Sequence, residues 1–418
     1  MEQYDQLYRL YEAADTETLR AYQEFVDLMP PLRSRVALDQ WEDAREELDD
    51  RKDAIADQFP ATGETYAELA AHLTREEAFT ALDLQSKYGR AVNVLVLDVD
   101  ETLRSAGDTD NEIPRETLHL LTEFHERGVP IVVCTGQTLE NVKGFAIQGL
   151  GNAVVSSGDV SIVYESGNGV FTPKHGPETK RLLYERLDDE VVELFDAVRG
   201  RALSAAPERV RHGCHLQGNE FNVTLKPNAE VGSATAVEVV DEALCYLCGI
   251  VGESVAAGVD APVDEPAALA RTHFARDPEI EGVLADAGLS TDAALDAAPD
   301  AFRDVLDRVD VGYYEGDAAE LVSLELDKSA GVEAALDVLG VEDPFALVMG
   351  DSKSDLRVME WVAEHEAGVA AAPDHASAAV LDHVRDRDDL VYEAGEASSV
   401  LRTVYGLALL VELAERRS

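Results

Sequence analysis

The chain has 418 residues, more than one hydrophobic core usually serves, so roughly two or three domains are expected. Hydrophobic residues make up 46%, enough for buried cores, while 83 acidic against 35 basic residues leave a formal charge of −48 spread along the chain. That balance argues against nucleic acid or an anionic membrane as a partner, because both require a positive surface.

Residues 1–90 are rich in Glu, Gln, Leu, Ala and Tyr. Apolar residues recur at helical spacing, first Tyr4, Leu7, Tyr8 and Tyr11, then Leu19, Tyr22, Val26 and Met29. The pattern predicts an all-helical extension, broken at Pro30-Pro31 and restarted by the capping box Thr74-Arg75-Glu76-Glu77. A solvated helical bundle is the simplest reading. A lid, or an arm through which the chain forms a homo-oligomer, are the alternatives.

Next comes an apolar run, Val94-Leu95-Val96-Leu97, that ends in Asp98-Val99-Asp100-Glu101-Thr102-Leu103. Such a run reads as a parallel strand covered on both faces, with a ligand crevice beyond its carboxyl end. Asp98 and Asp100 would face that crevice together if the strand continued, and two close carboxylates invite a divalent cation. Taken alone, the same residues suit a strand that ends in a polar turn. A helix is expected over 110–128. A second apolar run, Ile131-Val132-Val133-Cys134, closes on Thr135 and Gly136, a hydroxyl and a bare backbone suited to a phosphate oxygen. The glycines at 158, 167 and 169 look like hairpin turns.

Residues 172–326 are expected to form an inserted α/β domain. It would contain a charged helix over 178–198, strands around 209–215 and 220–226, and a helix near 233–249. An acidic, Ala-rich stretch over 253–300 reads as short helices and loops, followed by strands near 311–315 and 321–326. The polar tips of Arg211, Asn219, Asn222 and Lys226 are candidates for sugar hydroxyls or a second anionic group. Asp327-Lys328-Ser329-Ala330-Gly331 then precedes a helix over 332–339, and Lys328 is one of only eight lysines. A third apolar run, Phe345-Ala346-Leu347-Val348-Met349, leads into Gly350-Asp351-Ser352-Lys353-Ser354-Asp355, and an amphipathic helix over 398–412 closes the chain.

In this order the four segments resemble the four motifs of the haloacid dehalogenase-like (HAD) phosphohydrolase superfamily, over about residues 92–410. The resemblance implies Asp98 as nucleophile and Asp100 as general acid/base. Thr135, Gly136 and Lys328 would hold the phosphoryl oxygens. It implies Mg²⁺ held by Asp98, the backbone carbonyl of Asp100 and Asp351, with Asp355 as a direct or outer ligand. The implied fold is α/β, a Rossmann-like parallel sheet with a large inserted α/β cap of the kind seen in sugar-phosphate phosphatases. Its division would be a helical extension over 1–90, core over 91–171, cap over 172–326 and core over 327–418. Glu101 departs from the family, where many relatives have Gly, and its side chain would crowd the turn. The implied activity is Mg²⁺-dependent hydrolysis of a small phosphorylated metabolite, a sugar phosphate or phosphoglycolate-like acid, through an aspartyl-phosphate. A phosphosugar mutase would use the same residues, and a catalytically silent binding protein is the reading from another class.

Four cysteines are too few for a disulfide framework at this size. Cys245 and Cys248 fall in a helical pattern, and His212, Cys214 and His215 cluster in an expected strand. A zinc site has the right ligand types there, but buried packing explains these residues more simply. The acidic amino terminus and the lack of an apolar run near membrane length point to a cytoplasmic chain. Abundant Asp and scarce Lys resemble cytoplasmic proteins of salt-accumulating archaea, where salt screens self-repulsion. Without salt, loosening is expected first over 253–300 and before residue 90, where the core looks thinnest.

Overall fold

In the computed structural model, which describes residues 2–29, 34–104, 113–176, 181–218 and 221–417, helices come first. They are α1 (Glu2–Ala13), α2 (Thr16–Leu28), α3 (Arg35–Ala56), α4 (Gly63–His72) and α5 (Arg75–Tyr88). Strands and helices then alternate through β1 (Val94–Asp98), α6 (Arg115–Glu126), β2 (Ile131–Cys134), α7 (Leu139–Leu150), α8 (Asn152–Val155) and β3 (Val160–Tyr164). Short strands β4 (Gly169–Phe171) and β5 (Arg181–Leu182) lead to α9 (Asp189–Ala202), α10 (Glu208–Gly213), β6 (Cys214–Gln217) and β7 (Asn222–Pro227). After them come α11 (Ser233–Gly258), α12 (Pro266–Phe274), α13 (Pro278–Asp286), α14 (Asp300–Leu306), β8 (Val309–Tyr314) and β9 (Ala318–Ser323). The chain closes through α15 (Lys328–Leu339), β10 (Ala346–Met349), α16 (Lys353–Glu364), β11 (Gly368–Pro373), α17 (Ala378–Asp386), β12 (Leu390–Tyr392) and α18 (Ala397–Arg417).

One unit comprises Met1–Val163, Phe171–Lys180 and Val332–Ser418. Its strands pair in parallel in the order β12-β11-β10-β1-β2-β3. Every residue of β1, β2 and β10 is buried, which is why these runs are apolar without alternation. From β1 the chain builds outward to β3, and from β10 it builds the other way to β12. The order therefore reverses between β1 and β10, and a crevice is expected at the carboxyl ends of strands at such a point.

The helices α1–α5 belong to this same unit. Leu7, Leu10 and Leu19 are buried on their inner faces, while Tyr8 and Met29 stay exposed. The break expected at Pro30-Pro31 lies outside the described residues. The capping box at α5 is present: Glu77 N–H donates to Thr74 Oγ1 at 3.2 Å and Thr74 N–H to Glu77 Oε2 at 2.7 Å. The remaining oxygen, Oε1, meets Arg402 of α18 at 2.8 Å, and Arg402 also pairs with Glu116 of α6. A capping residue thereby ties the extension to the sheet's helices. Contrary to the sequence expectation, α18 is long and apolar enough to cross a membrane by length and composition. Its apolar residues are accounted for by packing, since 72% of that window is buried in the chain's own core.

The other unit comprises Tyr164–Val170 and Arg181–Gly331, around an antiparallel sheet ordered β6-β7-β9-β8. Val191, Phe195 and Val198 of α9 and Val240, Leu244, Leu247 and Val251 of α11 form one core with Val223, Leu225 and Leu321 of the sheet. The charged helix expected over 178–198 begins only at Asp189, after a 3₁₀ turn at Leu183–Arg186. The strand expected over 209–215 is helical to Gly213, so His212 lies on α10 while Cys214 and His215 lie on β6. Burial pushes the Cys214 thiol up to about 11 and that of Cys248 up to about 12, and both pack in this unit's core. The acidic stretch over 253–300 is better anchored than its composition suggests: Leu269, Phe274, Ile280 and Leu284 all reach the common core.

The side chains of Glu77 and Arg402 are only 10% and 17% exposed, so the pair is stable only intact. Arg402→Ala should cost about 3 kcal/mol in denaturant melts, because it leaves a buried carboxylate uncompensated. Pairing it with Glu77→Gln should recover part of that loss. A cost below about 1 kcal/mol would mean that the pair contributes no more than a surface contact.

Candidate active site

At the reversal, Leu97 is in register with Met349, so the residues following both strands emerge side by side. Asp98, Asp351 and Asp355 each bring a carboxylate oxygen to within 4.8 Å of the others. Asp98 and Asp355 are buried. Asp355 reaches the cluster as the third residue of α16, where its Oδ2 accepts from Ser352 N–H at 3.1 Å and Ser352 Oγ at 2.6 Å. Asp355 thus takes part in capping the helix and faces the cluster at once. Gly350 makes this approach possible, because a Cβ there would stand 2.3 Å from the Asp355 Cβ.

The segment after β1 turns tightly. Glu101 adopts a left-handed φ of 58°, the conformation that glycine favours. His375 Nε2 donates to its carbonyl at 3.1 Å and stands 3.6 Å from its carboxylate, so the side chain is drawn to His375. Thr102 Oγ1 donates to Asp351 Oδ1 at 3.4 Å, and Tyr392 OH donates to the Thr102 carbonyl at 3.1 Å. Burial, together with the Asp351, Asp98 and Asp355 carboxylates, pushes the Tyr392 phenol well up and keeps it neutral. Asp100 is half exposed, with Oδ1 taken by Arg104 Nε at 2.9 Å and Oδ2 by Gln137 Nε2 at 2.7 Å.

Thr135 follows β2, buried, and its Oγ1 accepts from Gln137 N–H at 3.1 Å, the fold of a tight turn through Gly136. Lys328 is the buried first residue of α15, and the carbonyl just before it would stand 1.9 Å from a Cβ on Gly167. Among the residues suggested for leaving-group contacts, Lys226 pairs with Asp317 at 3.0 Å and Asn222 Nδ2 donates to Glu320 at 3.2 Å. Arg211 is exposed at the end of α10, and Asn219 lies outside the described residues.

Three converging carboxylates, two of them buried, repel one another unless a cation or protons intervene. Their hard oxygen donors suit Mg²⁺, which binds carboxylates and keeps several waters, and the donor set therefore fits the ion that the motifs imply.

Residues 95–216 match a family described as haloacid dehalogenase-like hydrolase, a span that includes Asp98, Asp100, Thr135 and Gly136. Over that span the chain is similar to a haloacid dehalogenase-like hydrolase. No curated protein matches the sequence. Among solved structures, a protein of Thermoplasma acidophilum aligns at 12% identity over 76% of this chain and 100% of its own, with a TM-score of 0.41. A protein of Thermotoga maritima aligns at 16% identity over 75% of this chain and 97% of its own, with a TM-score of 0.39. The sucrose-phosphatase of Synechocystis sp., solved with sucrose and phosphate, aligns at 13% identity over 76% and 99%, with a TM-score of 0.41.

Around the HAD-like motif residues, several neighbours escaped the sequence reading. Gln137 was within reach of it, standing two residues after Thr135. Arg104, His375 and Tyr392 carry no local signature, since their roles exist only once distant loops meet. Gly350 yields the sharpest test of the cluster. Gly350→Ala should displace Asp355 and lower turnover by about a hundredfold, the scale of a 1 Å misplacement. It should also lower stability by about 1–3 kcal/mol through overpacking. Wild-type turnover in a folded Gly350→Ala protein would remove Asp355 from the site.

Proposed function

We propose that the chain hydrolyses the phosphate monoester of a small metabolite, a sugar phosphate or phosphoglycolate-like acid, through an aspartyl-phosphate. The observation that supports this reading is the meeting of Asp98, Asp351 and Asp355 beyond neighbouring parallel strands, with Asp98 in the span that is similar to a haloacid dehalogenase-like hydrolase. Asp98 attacks phosphorus in line as the bond to the leaving oxygen breaks, and Asp100 gives that oxygen its proton. Water then attacks the phosphoryl group while Asp100 takes its proton, and the bond to Asp98 breaks to release inorganic phosphate. Arg104 and Gln137 hold both oxygens of Asp100 and so fix its direction. The Thr135 hydroxyl and Gly136 amide stabilise the equatorial oxygens, and the role of Lys328 rests on its motif and its burial. When bound by Asp98, Asp351, Asp355 and the Asp100 carbonyl, Mg²⁺ supplies the positive charge that lets an anionic nucleophile approach an anionic phosphate. The charge of −48 further supports a protein that works in a salt-rich cytoplasm.

A phosphate-release screen over a metabolite panel, in Mg²⁺ and molar potassium chloride, tests the reading directly. Asp98→Asn should abolish release without unfolding the chain, because an amide forms no acyl phosphate. Asp100→Asn should be severely impaired with poor leaving groups and partly spared with good ones. Substantial release by Asp98→Asn would rule out the nucleophile, and isomer formed in place of phosphate would make the chain a mutase.

Metal dependence is checked separately. Excess chelator should abolish turnover, and Ca²⁺ should inhibit because its larger, looser coordination misplaces nucleophile and phosphate. Full activity in chelator would remove the cation from the mechanism.

A further inference from the structure

Glu165, Ser166 and Gly167 adopt left-handed φ angles of 49°, 57° and 101° in succession, on the turn between β3 and β4. Nowhere else among the described residues do two non-glycine residues take that conformation one after the other. A tight hairpin can use left-handed residues, but Asn and Gly fill them at little cost, whereas Glu and Ser do not. Strain of this kind persists only where the surroundings hold it, and it gathers where a function needs the geometry.

The surroundings do hold it. Asn168 is buried, and its Nδ2 donates to Glu165 Oε2 at 2.7 Å while its N–H donates to the Glu165 carbonyl at 3.2 Å. Its own carbonyl accepts from Leu183 N–H at 3.0 Å, which ties the turn to the residue after β5. The Asn168 Oδ1 is buried with no hydrogen-bond partner among the described residues, so the carboxamide bonds only through Nδ2. On the far side Tyr164 closes over the turn, since a Cβ on Gly169 would stand 2.2 Å from its hydroxyl oxygen. What the turn carries is the start of α15. A Cβ on Gly167 would stand 1.9 Å from the Asp327 carbonyl oxygen and 3.0 Å from Lys328 N, so the peptide joining those two residues lies directly against Gly167. Asp327 in turn caps α15, its Oδ1 accepting from Ala330 N–H at 3.0 Å and its carbonyl from Gly331 N–H at 3.2 Å. Turn and helix start belong to the same unit. The Lys328 backbone is thus fixed from two sides, and the direction in which a buried side chain leaves follows from its backbone.

We propose that the turn over 165–168 is the seat of Lys328, and that Gly167 and Asn168 are positioning residues for phosphate binding. The inference rests on the phosphate role given to Lys328 above. Gly167 lets the Asp327–Lys328 peptide come close enough to be held, and the bond from Asn168 to Glu165 keeps the turn in the strained form that presents Gly167. A lysine side chain has four rotatable bonds and is costly to hold in one place, so a fixed backbone at its root removes part of that freedom before phosphate arrives. The strain at Glu165 and Ser166 is then the consequence of placing Lys328, not of turning the chain.

The test is calorimetric titration of the full chain with inorganic phosphate, in Mg²⁺ and molar potassium chloride. Lys328→Ala should weaken phosphate binding about tenfold or more, the loss of a charge-assisted hydrogen bond. Gly167→Ala should weaken it by a similar factor, and the double variant should bind no more weakly than Lys328→Ala alone, because the turn acts only through that side chain. Asn168→Ala removes one hydrogen bond together with an unsatisfied acceptor, so its melting temperature should stay near that of the wild type while phosphate binding weakens about threefold or more. It decides the matter if Gly167→Ala does not fold. The seat is overturned if folded Gly167→Ala or Asn168→Ala binds phosphate like the wild type. It is overturned equally if Gly167→Ala costs as much affinity in the Lys328→Ala background as in the wild type, which would mark a general loosening of the unit. Undiminished phosphate binding by Lys328→Ala would instead overturn the role of Lys328 in the proposed function, and the seat with it.

Discussion

The reversal of strand order between β1 and β10 is the constraint on which the site depends. Two parallel strands in register deliver whatever follows them to one edge of the sheet, however far apart they lie in sequence. Both strands are buried throughout, and packing on both faces holds that edge in place. The loops that follow inherit this rigidity. Asp98 still belongs to β1, Asp351 follows β10 by two residues, and Asp355 is carried in by the first turn of α16. Three carboxylates that would separate in a flexible chain are thus held close, and their repulsion becomes a capacity to bind positive charge.

Scarce basic residues explain much of the remaining electrostatics. With 35 Lys and Arg against 83 acids, one-to-one pairing is impossible, and several cations in the described residues serve more than one acid. Arg402 takes Glu77 and Glu116, while Arg308 takes Asp188, Glu190 and Glu325. Arginine suits this use, because its planar fork presents donors in several directions. The acids left over lie mainly where solvent and salt can screen them. Among the described residues, the cluster at Asp98, Asp351 and Asp355 is a place where acids converge instead, which is why it suits a positive ion.

The strands were legible in the sequence because burial on both faces leaves an unbroken apolar run bounded by polar turns. The capping box at Thr74 was legible because its two hydrogen bonds need only residues three apart. Elsewhere the local pattern misled. The start of α9 could not be read from charge alone, since Glu and Arg suit a helix and a 3₁₀ turn equally. Around Val210 one buried residue in a short polar segment fits either period, so His212 was expected on a strand and lies on a helix. In the stretch over 253–300 the anchors Leu269, Phe274, Ile280 and Leu284 are diluted among alanines, and only packing reveals that they share one core. Arg104, His375 and Tyr392 were illegible for another reason: each acts on a residue brought near by the fold.

Glu101 shows how such an illegible partner resolves an apparent conflict. A side chain where relatives carry glycine would be expected to strain the turn, and a left-handed φ does cost a non-glycine residue about 1 kcal/mol or more. That cost is met locally. His375, in the loop after β11, bonds the Glu101 carbonyl and faces its carboxylate, so the side chain is drawn toward that loop. The same loop returns a second bond, from Ser377 N–H to the Asp351 carbonyl at 2.9 Å, and Tyr392 from β12 closes on the Thr102 carbonyl. The loops after β1 and β10 are therefore clamped from the neighbouring β11 and β12 side. With the turn held by partners outside it, glycine's conformational freedom is no longer required at that position, and Glu101 fits the turn that follows β1.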